Sequence, residues 1–246
     1  MNGKLAIITA AISATIFSAM AEDDFPKDGF ETSLSLGFTL TDGNSNTMLG
    51  NASLSTIGRK PGYGRLRAGV EGNYGQSKLD DETETTIEDL RAFANAHKNI
   101  SARTFLALHG DALYDDIAEI DYRFTVSPGL GYTIVEGGSV TLTAEIGPAY
   151  LWEKVAKQTD DYFAIRLAER LDYSISDTAR LWQSVEYLPK SDALDDYLLA
   201  AELGVEAALN SRLSLRIVLR NDYDSTPGTD LKHNDLTLIS GLSMSL

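Results

Sequence analysis

From residue 30 to its end, the chain alternates between apolar and polar side chains. The first segment places Phe30, Leu34 and Leu36 on one parity, with Glu31 and Ser35 on the other. This two-residue period is typical of a β-strand with one apolar face. Twelve such segments follow one another, and their apolar parities span residues 30–40, 48–54, 66–74, 90–96, 106–114, 122–134, 140–152, 163–175, 179–187, 197–209, 213–223 and 236–246.

The connections between these segments also alternate. Those after the second, fourth, sixth, eighth and tenth segments are short, around residues 60–62, 99–102, 136–138, 176–177 and 210–211. The other six are mostly longer and acidic, at 41–46, 75–86, 115–120, 153–161, 188–196 and 224–234. Outer-membrane barrels combine short periplasmic turns with longer outer loops. The layout predicts an all-β fold: a twelve-stranded antiparallel up-and-down transmembrane β-barrel, with strand one paired to strand twelve and both termini periplasmic.

The placement of aromatic residues separates this prediction from a soluble barrel of the lipocalin type, whose apolar parity would face inward. An interfacial girdle puts amphipathic rings at one level, whereas a soluble core would scatter them in depth. Rings of the apolar parity lie at strand ends beside the long connections: Tyr74, Tyr114, Tyr122, Tyr150, Trp152, Phe163, Tyr187, Tyr197 and Tyr223. Tyr132 and Tyr173 indicate a sparser belt on the periplasmic side.

The opposite parity carries more charge than the core of a small soluble barrel would tolerate. A wet or ion-paired lumen accepts such residues, and those predicted to line it are Arg65, Arg67, Glu71, Asp89, Arg91, Arg103, Asp111, Asp121, Arg123, Glu145, Arg166, Arg170, Arg180, Glu186, Arg216 and Arg220. Arginines and acids are nearly balanced on this parity, which favours cross-strand ion pairs. Expected examples are Arg91 with Asp111, or Arg103 and Arg123 with Asp121. Three aromatic residues share this parity: Phe93, Phe105 and Trp182.

Two residues interrupt the apolar parity. Glu169 lies between Leu167 and Leu171, and Gln183 does the same on the next strand. A polar side chain facing lipid near the midplane is costly. Either a bulge resets the parity there, or the two residues form a polar contact between subunits.

The first 21 residues have a different pattern. Lys4 is followed by an apolar stretch over residues 5–17 and by Ala19-Met20-Ala21, a small-x-small cleavage site. We therefore expect a signal peptide at 1–21 and a single barrel domain at 22–246. A membrane anchor is the alternative, which the polar residues after the cleavage site disfavour. The chain has no Cys, which excludes disulfides, a thiol nucleophile and a zinc-thiolate site.

The formal net charge of −15 disfavours nucleic acid as a partner. Many acids fall in the predicted outer connections, including Asp80, Asp81 and Glu82. Such a rim is expected to take up divalent cations and to bridge to lipopolysaccharide phosphates, although acidic loops also serve solubility alone. The segment 223–235 is predicted to be an outer loop. A cation site formed by Asp222, Asp224, Asp230 and Asp235 is the alternative, without EF-hand spacing.

The three histidines do not suit a lipid-facing hydrolase. His97 and His109 have lumen parity, and His233 lies in a loop. Pairing across residues 99–102 is expected to put His97 near Arg103 and His109 near Arg91. An omptin-like protease at the acidic rim is the enzymatic alternative, but the chain has no G-x-S-x-G, Walker or G-x-G-x-x-G segment. The sequence predicts neither an enzyme nor a cofactor.

The chain ends with spaced hydrophobic residues after Gly241, which resembles the carboxy-terminal signal read by the barrel assembly machinery. It finishes on Leu246 where an aromatic residue is usual. The segments YDSTPGTDLKHND (223–235), TDGNSN (41–46) and DYRFTVSPGLGY (121–132) resemble the salt-induced outer-membrane protein family, the YdiY-type proteins, also described as a domain of unknown function. The resemblance implies location in the bacterial outer membrane and implies little about mechanism.

Strand number and lining together give the functional expectation. The interior of an eight-stranded barrel is filled by side chains, and sixteen strands leave an aqueous channel. In a twelve-stranded barrel the lining residues therefore decide whether a channel is open. A balanced lining predicts a narrow pore or closed channel for small solutes or ions. A non-conducting structural or stress-related envelope protein is the alternative, and a hydrolase is a more remote one.

Overall fold

The computed structural model describes residues 26, 28–41, 46–79, 82–227 and 231–246. The predicted signal peptide and Asp80, Asp81 and Asp230 of the predicted outer rim lie outside these residues. The described residues form twelve strands: β1 (Gly29–Thr41), β2 (Asn46–Lys60), β3 (Gly64–Leu79), β4 (Glu82–Asn99), β5 (Thr104–Asp115), β6 (Ile120–Gly137), β7 (Val140–Val155), β8 (Gln158–Ser176), β9 (Ala179–Lys190), β10 (Ala193–Ala208), β11 (Leu213–Asp224) and β12 (Asn234–Ser245). Within them, no helix is long and apolar enough to cross a membrane.

Each strand pairs antiparallel with its neighbour in sequence, and β1 pairs with β12 to close the barrel. The closing seam runs from Ser33 opposite Ser245 to Leu36 opposite Leu242. A hydrogen bond from Leu246 N to Thr32 O (2.9 Å) extends it. The predicted strand number, order and closure are therefore confirmed.

Three predicted outer loops are largely strand. β3 runs to residue 79 and β4 starts at 82, so most of the predicted connection 75–86 is an extended hairpin. The same holds for 153–161 and 188–196, where β7–β8 and β9–β10 meet across short turns. Both faces of a strand are solvated beyond the membrane, so polar residues occupy both parities. The alternation that marks a strand is then lost, although the backbone hydrogen bonds continue.

Large apolar side chains cover the outside of the barrel, among them Phe38, Val70 and Ile146. Near the outer strand ends the aromatic rings contact one another, which gives the predicted girdle a physical form. The ring centroids of Tyr187 and Tyr197 are 5.2 Å apart, and those of Tyr197 and Tyr223 are 5.6 Å apart. A barrel with an apolar outer surface, an aromatic band and a charged interior has the construction of a membrane barrel.

The bulge expected near Glu169 and Gln183 is not found there. The β8–β9 register runs without a shift from Leu167 opposite Tyr187 to Tyr173 opposite Leu181. Glu169 and Gln183 therefore keep the outward parity, and Gln183 Nε2 donates a hydrogen bond of 2.5 Å to Glu169 Oε1.

Candidate functional site

The three aromatic residues predicted on the lumen parity lie against the wall of the barrel. Phe93, Phe105 and Trp182 are directly opposite a glycine on an adjacent strand, and they are buried as predicted. A Cβ atom on any of these glycines would overlap the facing ring. The glycines that accommodate the rings are Gly69, Gly131 and Gly204. The rings can therefore lie flat on the backbone.

Arginines cover the lumen side of the same rings. Arg65 lies over Phe105 and Arg67 over Phe93, each with its guanidinium carbon 5.9 Å from the ring centroid. Trp182 is contacted in the same way by three arginines, at 5.1–5.9 Å: Arg170, Arg180 and Arg216. Cation–π contacts hold these guanidinium groups near the wall. Part of the positive charge of the interior is thus fixed in place.

A buried ion-pair network lies against the wall formed by β4–β9. Arg166 donates to Glu145 (2.7 Å) and to Glu186 (2.5 Å). Glu145 also pairs with His97 Nε2 at 3.2 Å, which links β7 to β4 across two intervening strands. Arg91 pairs with Asp111 at 3.0 Å, as the sequence predicted. Buried charges require partners of this kind.

Arg220 forms a bridge across another sector of the lumen. Its guanidinium group contacts Glu71 at 2.7 Å and Glu202 at 3.5 Å. Glu202 also accepts a hydrogen bond of 2.6 Å from Trp182 Nε1. Because Arg220 is on β11 and Glu71 is on β3, their ion pair spans the three strands between them, β12, β1 and β2. We call this contact the Arg220–Glu71 bridge.

The wall beneath this bridge is lined by small hydroxyl side chains, and we call it the serine wall: Ser33, Ser35, Ser53, Ser55 and Ser243. These residues are partly exposed. The hydroxyl residues of the facing β6–β9 wall are instead buried under the ion-pair network: Thr125, Ser127, Thr143 and Ser184. A cavity of about 20 Å³ lies beneath the bridge, bordered by Ser35, Ser53 and Arg220 among others. The side chains of the serine wall are therefore smaller and more exposed than those of the facing wall.

An open basin of about 330 Å³ lies at the outer end of the barrel. Its floor contains Arg123, which pairs with Glu153 (2.5 Å) and reaches across the lumen to Asp224 (3.8 Å). Lys190 and Asp160 are on its side, with Lys190 Nζ 3.0 Å from the Asp160 carboxylate. This hydrogen bond lowers the pKa of the Asp160 carboxyl group, which lies beyond the aromatic girdle. The basin therefore holds charges of both signs.

The predicted lining residues fall into three groups. Nine are buried: Arg65, Asp89, Arg91, Arg123, Glu145, Arg166, Arg170, Glu186 and Arg220. Five are partly exposed to the interior space: Arg67, Glu71, Asp111, Arg180 and Arg216. Two lie elsewhere, Arg103 and Asp121.

These two departures have local causes. Arg103 is exposed in the turn before β5. Asp121 is at a bulge, where Ile120 pairs with Val155 and Tyr122 with the adjacent residue, Lys154. The bulge resets the parity, and Asp121 pairs with Lys154 (2.6 Å) instead of Arg123.

Some polar contacts of the interior were not expected from the sequence. Asn51, Asn73 and Asp89 form a ladder of hydrogen bonds, each 2.7 Å long, across three strands. These three residues share the lumen parity, from which the ladder could have been predicted. Glu153 and Asp224, the partners of Arg123, were instead assigned to connections, because the strands extend further than the apolar pattern.

The histidines are in the interior, in a different register from the one expected. His97 is opposite Ala107 instead of Arg103, and His109 is opposite Asn95, with Nδ1 2.7 Å from Asn95 Oδ1. The difference arises because the turn takes up residues 100–103 and β5 begins at Thr104.

The proposed cation site falls partly outside the described residues, since Asp230 is not among them. Asp222 and Asp235 are opposite each other on β11 and β12, and both are buried. In the parts of the chain that the structure describes, no group of three or more His, Asp or Glu side chains is arranged to hold a metal ion.

An all-β chain closed into a twelve-stranded antiparallel barrel, apolar outside and charged inside, has the fold of a membrane β-barrel. The family described as "Protein of unknown function, DUF481" matches residues 34–245, and the chain belongs to this family. The comparison with curated proteins gave no match.

Solved structures of similar fold include the NanC porin, with a TM-score of 0.50, 9% identity, and coverage of 87% of this chain and 98% of that chain. The translocator domain of the autotransporter NalP from Neisseria meningitidis has a TM-score of 0.49, 11% identity, and coverage of 91% and 90%. The KdgM porin in complex with disordered oligogalacturonate has a TM-score of 0.49, 8% identity, and coverage of 89% and 99%. At these identities the likeness concerns the fold alone.

Proposed function

We propose that this protein is a narrow outer-membrane channel for small solutes or ions, closed at rest by interior ion pairs and without catalytic activity. The observation that carries the proposal is the Arg220–Glu71 bridge over the serine wall. The facing wall is packed with buried charged groups, whereas the serine wall has small, partly exposed side chains. Separation of Arg220 from Glu71 would connect the cavity beneath the bridge with the adjoining part of the lumen.

The passage that we propose runs along β12, β1 and β2. Hydroxyl groups on this side can replace part of the hydration shell of a small solute, while Arg216, Arg220 and Glu71 provide charges of both signs opposite them. Balanced charge gives weak selectivity between cations and anions. The outer basin, with Arg123 in its floor, lies on the other side of the lumen, against β6–β11.

Single-channel recording in planar bilayers tests the proposal. The double variant Arg220→Ser/Glu71→Ser removes both charges of the bridge, and Glu202 keeps its hydrogen bond from Trp182 Nε1. We expect a unit conductance several times that of the parent protein, because the passage widens along the serine wall. The protein must first be shown to be folded, by a difference in gel migration before and after boiling.

The matched control is Lys154→Ser/Asp121→Ser. It removes an ion pair from outside the lumen, where Lys154 and Asp121 are both substantially exposed. Its conductance should equal that of the parent. Folded protein that stays silent in the bilayer, both as the parent and as the Arg220→Ser/Glu71→Ser variant, would refute the channel.

A non-conducting envelope protein is the second proposal, and the small size of the space beneath the bridge favours it. That cavity of about 20 Å³ is close to the volume that one water molecule needs. In this case the interior ion pairs brace the wall. The silent bilayer described above is the result that this proposal expects.

Three further proposals concern the setting of the barrel. The apolar outer surface and the girdle support placement in the bacterial outer membrane, in contact with lipid and lipopolysaccharide. The pairing of β12 with β1 supports recognition of the C-terminal strand by the barrel assembly machinery. Assignment to the salt-induced type rests on the three sequence segments. Fractionation of cells grown at low and high salt, with immunodetection, tests both location and induction.

A further inference from the structure

The hydrogen-bonded pair of Glu169 and Gln183 is on the lipid-facing surface of the barrel. On β8, Glu169 lies between Phe163 and Tyr173, two outward aromatic residues near opposite ends of the strand. It is roughly 20 Å from the first and 13 Å from the second along the strand, at about 3.3 Å per residue. The inward neighbours of Glu169, Ala168 and Arg170, are buried. The pair therefore lies at membrane depth on the outside of the wall.

Hydrocarbon is a poor solvent for this pair. Ionisable residues at membrane depth are rare and normally face a protein partner or water. The amide of Gln183 has two N–H donors and one acceptor oxygen, and the carboxyl group of Glu169 has two oxygens. The bond between them uses one N–H and one carboxyl oxygen. A second protein surface can satisfy more of these groups than lipid can.

The surroundings of the pair allow close approach. Ala144 is opposite Glu169 on β7, and Ala201 is opposite Val185 on β10. Val185 itself is opposite Glu169 on β9. The β7 side of the polar pair is therefore low, whereas on the β10 side Leu203 lies opposite Gln183 and projects outward.

The geometry of the Glu169–Gln183 pair favours a second copy of the same chain as its partner. Two copies of one chain in the same membrane have the same inside-to-outside direction, so a two-fold axis between them is parallel to the membrane normal. Rotation about this axis preserves depth and exchanges left and right. Glu169 and Gln183 are on adjacent strands and their bonded atoms are 2.5 Å apart, so the depths of these atoms differ by no more than that distance. Glu169 of one copy can then face Gln183 of the other. The two-fold axis repeats this contact, so each carboxylate accepts a hydrogen bond from the amide of the other copy.

We propose that the outer face of β8 and β9 is a dimer interface, in which Glu169 and Gln183 form reciprocal hydrogen bonds with a second copy of this chain. The interface is separate from the lumen. It neither requires nor excludes conduction, so its test is independent of the channel test.

Cysteine crosslinking in the membrane is a direct test, since the chain has no native Cys. Val185→Cys puts a thiol beside the polar pair, close to the proposed axis. We expect oxidation to yield a disulfide-linked species of twice the monomer mass. The control is Leu54→Cys, an outward residue on β2, six strands from β8, which should remain monomeric. Monomer alone from Val185→Cys, or a crosslink to a chain of another mass, would overturn the proposal.

Exchange of the two polar residues tests the reciprocal hydrogen bonds within the Val185→Cys background. Gln183→Glu puts carboxylates opposite each other, so the yield of crosslinked dimer should fall at least about tenfold, because like charges oppose association strongly. The exchanged variant Glu169→Gln/Gln183→Glu restores an acceptor opposite a donor and should recover most of the dimer. Failure of the exchange to recover dimer, in protein with a normal gel shift on boiling, would refute the reciprocal contact.

Discussion

At the scale of single residues, the packing of Trp182 on Gly204 leads to a defined stability prediction. A methyl group at Gly204 would overlap the indole ring. We expect Gly204→Ala to destabilise the barrel by about 1–3 kcal/mol, the usual cost of overpacking. Gly110→Ala is the control, since the added methyl group would meet its nearest atom at 3.7 Å. Urea unfolding in detergent measures both, and equal stability of the two variants would contradict the prediction.

A second residue-scale prediction concerns Arg166, which is buried between Glu145 and Glu186. Arg166→Met leaves two buried carboxylates without this partner, and we expect a loss of about 3–5 kcal/mol. Lys154→Met removes one member of an exposed pair and should change the unfolding midpoint little. Similar midpoints for the two variants would show that the interior is wetter than the burial of Arg166 indicates.

Residue-scale contacts were predictable where they join adjacent strands. Arg91 and Asp111 share the lumen parity on β4 and β5, so parity alone brought them together. The Arg220–Glu71 bridge was not predictable in this way. Its residues are on strands separated by three others in the closed barrel, and such a contact depends on strand tilt and on side-chain reach. Asp121 was misplaced because a one-residue bulge reverses every parity beyond it.

At the scale of strands, alternation predicted all twelve elements because each faces lipid on one side and the interior on the other. It predicted the outer ends of the strands poorly. Residues 76–79 and 82–85 of β3 and β4 pair in the same ladder, but neither face is apolar. The alternation of apolar and polar residues arises because one face of the strand contacts lipid, whereas the backbone hydrogen bonds form with or without lipid. The alternation therefore does not predict the strand ends outside the girdle.

The seam between β1 and β12 is the element contact on which closure depends. Ser35 and Ser243 are opposite each other there, with their hydroxyl oxygens 3.0 Å apart. Cα atoms of directly opposed antiparallel residues are about 4.5–5.5 Å apart, within the range that a disulfide spans. We expect Ser35→Cys/Ser243→Cys to oxidise in folded protein and to raise the melting temperature. A reducing agent should abolish the increase.

The control for the seam is a pair of cysteines on opposite faces of the sheet. Leu34→Cys/Ser243→Cys puts the two thiols on opposite faces of the sheet, because Leu34 has the outward parity and Ser243 the inward parity. It should not form the intramolecular bond. A disulfide in this pair, or none in Ser35→Cys/Ser243→Cys, would indicate a closing register shifted by one residue.

At the scale of the whole molecule, the charge of the barrel is divided by depth. In the interior, arginines pair with acids, while the outer ends carry exposed acids that include Glu119, Asp192 and Asp195. The carboxylates of this rim and the phosphates of lipopolysaccharide are both negatively charged, so they repel each other in the absence of a cation. Divalent cations can bridge the two sets of anions, since carboxylate and phosphate oxygens are both hard ligands. We therefore expect the rim to attract lipopolysaccharide when such cations are present.

This division of charge predicts that stabilisation requires cation and lipid together. In micelles containing lipopolysaccharide, millimolar Mg²⁺ should raise the melting temperature more than Na⁺ does at the same ionic strength. The increase should be small in micelles without lipopolysaccharide, and smaller for Glu119→Gln/Asp192→Asn/Asp195→Asn than for the parent. The triple variant keeps the size of each side chain, so any difference reports charge. An equal Mg²⁺ effect with and without lipopolysaccharide would exclude bridging, and no effect in either would leave the acidic rim a role in solubility alone.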